Sequence, residues 1–326
     1  MRNKNIQFSF LVIMMLASLV ACKKEEYTIP DPVSQLTNDC IKRTIGPSIV
    51  SLPLEFAYAM AIPKSSGKLV SAQVEASIAG ASGTYLEHRS FYTNSGGVDV
   101  PVLVGSPSLT VDKTTKMTYS IDTNAATLRY NYVIPEGARG QSVSFTFSVT
   151  SSDGKTASYK MGPYTISKMS INRNLAVSNG VNAYISIEDM AVYNAAAAAA
   201  TPGKIDLVYL FRAAPTTFTH ALVSPAADAA YLPGVTLPAG LNRSTKLRKV
   251  FNLQDRNLAN LQFGIYVDDV DLINVDMVDM PNYAIGLRAE AGVWVETADK
   301  KYRAYIFVNS INAAGTAVIS MLRYTL

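Results

Sequence analysis

The sequence predicts a mainly β protein: a two-sheet sandwich followed by a second β-rich domain that carries short helices. Three observations lead there. Several runs of eight or more residues alternate apolar and polar positions, the period of a half-buried strand. One Asp-Gly pair, Asp153-Gly154, separates two such runs and suits the positive φ of a tight hairpin turn. The last forty residues read as strands joined by short polar turns.

The chain begins with MRNKN, which carries Arg2 and Lys4 and no acid, and residues 6–21 then hold no charge. A basic start followed by an apolar run is the pattern of an export signal, and the run is shorter than the about 20 residues a spanning helix needs. Leu19-Val20-Ala21-Cys22 resembles the bacterial lipobox. That resemblance implies cleavage before Cys22 and lipidation of its thiol. Several acyl chains hold a protein firmly at a membrane, since each buried methylene contributes about 0.8 kcal/mol. The following Lys23-Lys24-Glu25-Glu26 resembles the charged signal after the lipidated cysteine that carries Bacteroidetes lipoproteins to the outer face of the outer membrane; as a plain solvated linker it would look the same.

The expected organisation is therefore a signal at 1–21, an anchored linker at 22–46, a β-sandwich at 47–168 and a β-rich C-terminal domain at 169–326. A composition of 48% hydrophobic and 17% charged residues is too apolar for a disordered chain. Formal net charge is +4, and loss of Arg2 and Lys4 lowers it to +2. Near neutrality argues against nucleic acid as a partner. With Cys22 acylated, Cys40 has no disulfide partner, and a lone thiol without a neighbouring histidine reads as inert.

In the linker, Pro30 and Pro32 punctuate a stretch without periodicity. In KLVSAQVEASI, Val70, Ala72, Val74, Ala76 and Ile78 are expected on one face. Leu128, Tyr130, Tyr132 and Ile134 alternate in ATLRYNYVIP, as do Val143, Phe145, Phe147 and Val149 in QSVSFTFSVTSS. The Asn- and Ser-rich residues 168–182 read as a break between domains. Asn194 can cap a short helix through the alanines of NAAAAAATPG, which Pro202-Gly203 ends. KIDLVYLFR reads as a strand buried on both faces. HALVSPAADAAYLPGVTLPAG reads as loop with brief helices, and the rest as a meander with turns at 298–301 and 314–315.

Four places carry candidate chemistry. GTYLEHRSFYT packs Glu87, His88 and Arg89 among Tyr85, Phe91 and Tyr92, either a ligand clamp or an ion pair on a solvated strand face. Strand alternation would point Glu87 and His88 apart. Asp268, Asp269, Asp271, Asp276 and Asp279 suit Ca²⁺ by residue type, but no glycine and closing glutamate complete a calcium loop; they read equally as surface acids, and no metal site is assigned. His220 lies near Thr216, Thr217, Thr219 and Ser224 with no nucleophile elbow, so no catalytic residue is assigned and the chain is expected to be no enzyme. Trp294, the single tryptophan, is either a platform for a sugar ring or a core residue. The candidate ligand-binding residues are thus Tyr85, His88, Tyr92 and Trp294, with no cofactor.

SVSFTFSVTSSDGKTASYKMGPYTI resembles the closing hairpin of bacterial immunoglobulin-like modules, although the cysteine pair of true immunoglobulin domains is missing. Together with the lipobox, KIDLVYLFR, HALVSPAA and GVWVETADKKYRAYIFVNS, it makes the chain similar to Bacteroidetes surface lipoproteins of a domain-of-unknown-function type. That resemblance implies an accessory of a starch-utilisation-like (Sus-like) uptake locus. Its expected partners are a TonB-dependent transporter, its lid lipoprotein and a glycan or peptide ligand. A structural or adhesive role at the cell surface is the alternative.

Overall fold

The computed structural model describes residues 35–251, 255, 258 and 265–326. Cys22, the signal and most of the linker lie outside the described residues. The first half contributes β1 (Thr37–Lys42), β2 (Pro53–Ala61), β3 (Leu69–Ala76), β4 (Tyr85–Leu86), β5 (Arg89–Thr93), β6 (Asp99–Leu103), β7 (Leu109–Val111), β8 (Thr114–Thr118), β9 (Ala125–Val133), β10 (Ser142–Ser151) and β11 (Thr156–Thr165). One sheet runs β1-β2-β9-β4 and the other β11-β10-β3-β8-β7, with β5 and β6 as a separate hairpin.

The alternating runs supply the core between these sheets. Leu128, Tyr130, Tyr132 and Ile134 face Val143, Phe145, Phe147 and Val149, all buried, with Phe56 among them. Ring centroids of Phe56 and Phe145 lie 4.9 Å apart and those of Tyr132 and Phe145 5.0 Å, the spacing at which aromatic pairs attract. The phenols are satisfied: Tyr132 donates to the carbonyl of Ile78 at 3.0 Å, and Tyr58 accepts from the Asn38 amide at 2.9 Å. At the predicted hairpin between β10 and β11, Gly154 takes φ +80° and the Asp153 carboxylate accepts from Ser151 Oγ.

Two expectations fail in this half. The linker read from 22 to 46 in fact contains β1, which pairs with β2 over its whole length. Its residues are polar because β1 is a sheet edge and sends one apolar group, Cys40, into the core. Burial pushes that free thiol up to about 12, so it stays protonated. In β3, Leu69 is buried and Val70 exposed, because the register with β10 shifts between Thr150 and Ser151. From Ala72 onward the alternation is as read.

The second half contributes β12 (Ser170–Ser178), β13 (Asn182–Ser186), β14 (Ala191–Asn194), α1 (Ala195–Ala200), β15 (Leu207–Arg212), β16 (Thr219–Val223), β17 (Lys246–Val250), α2 (Asp269–Asn274), β18 (Tyr283–Leu287), β19 (Gly292–Glu296), β20 (Tyr302–Ile311) and β21 (Thr316–Thr325). The sheets run β12-β21-β20-β19-β17 and β14-β13-β15-β16-β18. Between them lie Leu207, Tyr209, Leu222, Val293, Val295, Ile306 and Ile319.

Both outer faces are covered as well. Val208, Leu210, Ala221 and Val223 pack under Ala198 of α1, Phe218 and Leu241, which accounts for the doubly apolar KIDLVYLFR. Trp294, Tyr305, Phe307 and Leu322 pack under Leu272 of α2, Val267 and Ile49 of the first half. The α1 cap is as read, with Asn194 accepting from the Ala197 amide at 2.9 Å. The Asn-rich break is strand β12, bulged at Asn174 with φ +58°. Thr219–Val223, read as loop, is a strand buried in its sheet.

The two halves meet at Ser167, whose amide donates to Ser48 at 2.7 Å. Asp269 then grips the junction, accepting from Ser167 Oγ at 2.5 Å and from the Lys168 amide at 2.8 Å.

Candidate functional site

The first candidate cluster folds differently from a single strand. Tyr85 and Leu86 belong to β4 and Arg89 opens β5, so Glu87 and His88 sit at the break between strands. The Glu87 carboxylate is buried and accepts from the amides of His88 (3.0 Å) and Arg89 (3.3 Å). It also takes both arms of the Arg89 guanidinium, at 3.0 and 2.6 Å, and His88 Nδ1 lies 3.2 Å away. Glu87 and His88 therefore converge instead of pointing apart, because the chain leaves one ladder for another between them. Hydrogen bonds from Arg89 hold the Glu87 carboxyl below the usual carboxylate range.

Tyr85 and Tyr92 are exposed and His88 is half-buried, but the two tyrosines lie in different sheets. Tyr92 and Phe91 line a shallow groove of about 440 Å³ with Thr37 and Ala126. Trp294 lies in the other half, 5% exposed and packed on Tyr305 with ring centroids 4.7 Å apart. The four candidates do not form one site, and the tryptophan offers no open face.

The acidic run is used by the backbone. Asp268 caps α2 by accepting from the Val270 and Asp271 amides, and Asp271 closes the capping box onto the Asp268 amide at 3.0 Å. Asp269 and Asp271 thus stand on the first turn of a helix. Among the described residues no group of three His, Cys, Asp or Glu side chains is placed to hold a metal ion.

A larger cleft, of about 1110 Å³, opens at one end of the second sandwich. Its walls are strand ends and loops: Phe211 and Arg212 from β15, Thr216 and Thr217 from the next loop, Thr219 and His220 from β16, Lys249 from β17, and Gly286, Leu287 and Arg288 from the end of β18. Asn312 in the β20–β21 turn completes the rim. Gly286 takes φ +66°, and a Cβ there would meet the Thr217 carbonyl at 3.1 Å, so the position suits glycine.

His220 forms the floor. It is 4% exposed, shares the inward face of β16 with Leu222, and its Nδ1 lies 2.6 Å from the Tyr209 phenol. Burial lowers its pKa, so the imidazole is neutral near pH 7, and its Nε2 makes no hydrogen bond to a described residue. Above it stand two cations, Lys249 and Arg288. Lys249 donates to the Ile285 carbonyl at 2.6 Å. Arg212 lines the cleft, but its guanidinium turns to the opposite face of β15, onto the Pro233 carbonyl at 3.0 Å and the Phe218 ring. Arg288 is exposed. Among the described residues no carboxylate lines the cleft.

His220 and the nearby threonines were legible as a polar cluster. Lys249 and Arg288 were not, since tertiary structure alone brings together positions so far apart in the chain.

Two family models match adjoining parts of the chain: the domain of unknown function DUF4466 over residues 33–166 and the domain of unknown function DUF8576 over residues 167–326. A search of curated protein sequences returned no match. Among solved structures, a DUF4466 family protein from Parabacteroides merdae is 48% identical with a TM-score of 0.85, over 90% of this chain and 100% of that one. The major pilin subunit of Bacillus cereus matches at 11% identity and TM-score 0.28, over 47% of this chain and 46% of that one. A C-terminal fragment of the major pilin of Streptococcus agalactiae matches at 10% identity and TM-score 0.27, over 48% and 66%. Likeness at those two TM-scores carries no argument about this chain.

Proposed function

The chain belongs to the DUF4466 family, and from that premise we propose that it is a non-catalytic binding protein that holds a glycan or peptide ligand in the cleft of its second sandwich. Cys22 tethers it to the outer face of the outer membrane. There it serves an uptake system made of a TonB-dependent transporter and its lid lipoprotein. One observation carries the reading: a cleft of about 1110 Å³ whose walls hold cations, hydroxyls and a buried imidazole with an uncommitted nitrogen. Ligand sites are concave and combine apolar walls with a few convergent polar groups. Among the described residues its lining offers no carboxylate, whereas glycoside hydrolysis by the usual route needs a pair of them.

Isothermal titration of the full chain against a library of oligosaccharides and short peptides tests this, beside a Thr217→Trp variant that fills the cleft. Binding by the wild type and its loss in the variant are expected. Silence across the library, or equal binding by the filled variant, overturns the reading.

A second reading, a protein-contact role at the cell surface, is favoured by the β5–β6 hairpin. Tyr92, Val98, Val102 and Leu103 there are 55%, 60%, 44% and 58% exposed. Apolar side chains left open together mark contact surfaces. Charged replacements at Val102 and Leu103 that leave every surface contact unchanged would remove it.

A further inference from the structure

We infer that the cleft is built for an anionic ligand, and specifically for an oligosaccharide bearing carboxylates. The inference rests on the reading that the cleft binds a ligand, and it adds the ligand's charge and class.

Charge comes first. Lys249 and Arg288 line one cleft, and among the described residues neither forms an ion pair. Some cations elsewhere in the same half are matched, as Arg243 is between Asp206 and Asp299 at 2.9 and 3.0 Å and Arg303 by Glu296 at 2.9 Å. Others, such as Lys246, Arg248 and Arg323, rest on carbonyls; what sets the cleft apart is that its unpaired cations share one concave wall. Unmatched cations gathered around a concave wall repel one another and raise the local concentration of anions. The repulsion is felt at Lys249, whose ammonium is held below its ordinary pKa by burial and then by Arg288.

The donors are also free to bind. Lys249 is anchored by a single carbonyl, which fixes the side chain and leaves further N–H groups open. Arg288 donates to no described residue, and a guanidinium can take a carboxylate with two parallel bonds.

The rest of the lining favours a sugar over a peptide. Thr216, Thr217 and Thr219 both donate and accept, as the hydroxyls of a sugar do. Phe251 is 44% exposed at the rim with the Lys249 ammonium 5.0 Å from its ring centroid, an apolar face beside a charge. Peptides that add to a sheet need a free run of strand backbone. Here the walls are strand ends and loops, and β17 and β18 turn to each other, with the Leu247 amide donating to the Pro281 carbonyl at 2.7 Å.

The full chain is titrated with trisaccharides of galacturonate, guluronate and glucuronate, with the fully methyl-esterified form of each, and with triglutamate. At least one uronate is expected to bind, at least about tenfold tighter than its ester, and to weaken with added salt. Lys249→Ala and Arg288→Ala are each expected to weaken it by about tenfold or more while melting like the wild type. An ester that binds as well as its acid, with Thr217→Trp abolishing both, overturns the charge inference and leaves the cleft as a ligand site. Triglutamate binding tighter than every uronate overturns the sugar assignment. Silence from all uronates overturns the inference, and silence from the neutral sugars and peptides as well takes the cleft reading with it.

Discussion

The Tyr209 phenol and Nδ1 of His220 stand 2.6 Å apart, both buried, and so join the inter-sheet core to the floor of the cleft. Burial keeps Tyr209 protonated and His220 neutral, which makes the phenol the donor and leaves Nε2 free for a ligand. Tyr209→Phe is expected to cost about 1–3 kcal/mol in urea unfolding, because the imidazole then has an unsatisfied buried nitrogen. The folded state resists protonating His220, while the unfolded chain takes the proton near about pH 6.5. Stability from this group is therefore complete above that value and is lost as pH falls through it. Thermal melts from pH 8 to 5 should show a loss that His220→Asn removes; parallel curves for the two proteins would refute the assignment.

Asp206 behaves oppositely. Its carboxylate is 1% exposed, accepts from the Ile187 amide at 2.9 Å and lies against Arg243, yet burial raises it to about 6. The folded state then holds a proton that the unfolded chain releases near about pH 4. Stability from this group is complete below that pH and is lost as pH rises through about 6. The stability difference between wild type and Asp206→Asn should be largest at pH 4 and level off above 6. A difference that grows toward neutral pH would mean that Arg243 outweighs desolvation.

Asp269 joins the halves through Ser167 and Lys168, and its carboxylate also lies in the first turn of α2. Asp269→Ala should cost about 1–3 kcal/mol by loss of two charge-assisted bonds and one favourable charge at a helix start. Limited proteolysis should reach residues 166–169 sooner in the variant. A variant that unfolds and cleaves like the wild type would show that Ile49, buried with Leu272 and Trp294, carries the junction without it.

The first sandwich was legible where one face of a strand meets the core and the other meets water. Leu128 to Ile134 and Val143 to Val149 show this plainly, since burial imposes a period of two. Strand β1 was not legible, because an edge strand is held by its backbone ladder and needs little apolar surface. Val70 misled because a one-residue register shift exchanges the faces of a strand. Thr219–Val223 was hidden because both its faces are covered, by Phe218 and Leu241 on one side and the inter-sheet core on the other. Of the site, only His220 and its threonines stood close enough in sequence to be seen. The cations come from the ends of two strands, and nothing in their local sequence distinguishes them from solvated charges.

Trp294 shows how burial decides between two uses of one ring. Its neighbours Val293 and Val295 face the inter-sheet core, which turns Trp294 outward, where a sugar could meet it on a bare sheet. That outer face is instead roofed by Leu272, Val267 and Met277, so the indole is 5% exposed and packs at a tilt against Tyr305. Emission from this single tryptophan should be blue-shifted and poorly quenched by acrylamide, and should redden on unfolding. Trp294→Phe should keep binding at the cleft unchanged, while Trp294→Ala should cost about 3–5 kcal/mol from the cavity it leaves. A red, readily quenched emission, or one that shifts when a sugar is added, would mean that the roof opens and that Trp294 meets ligand after all.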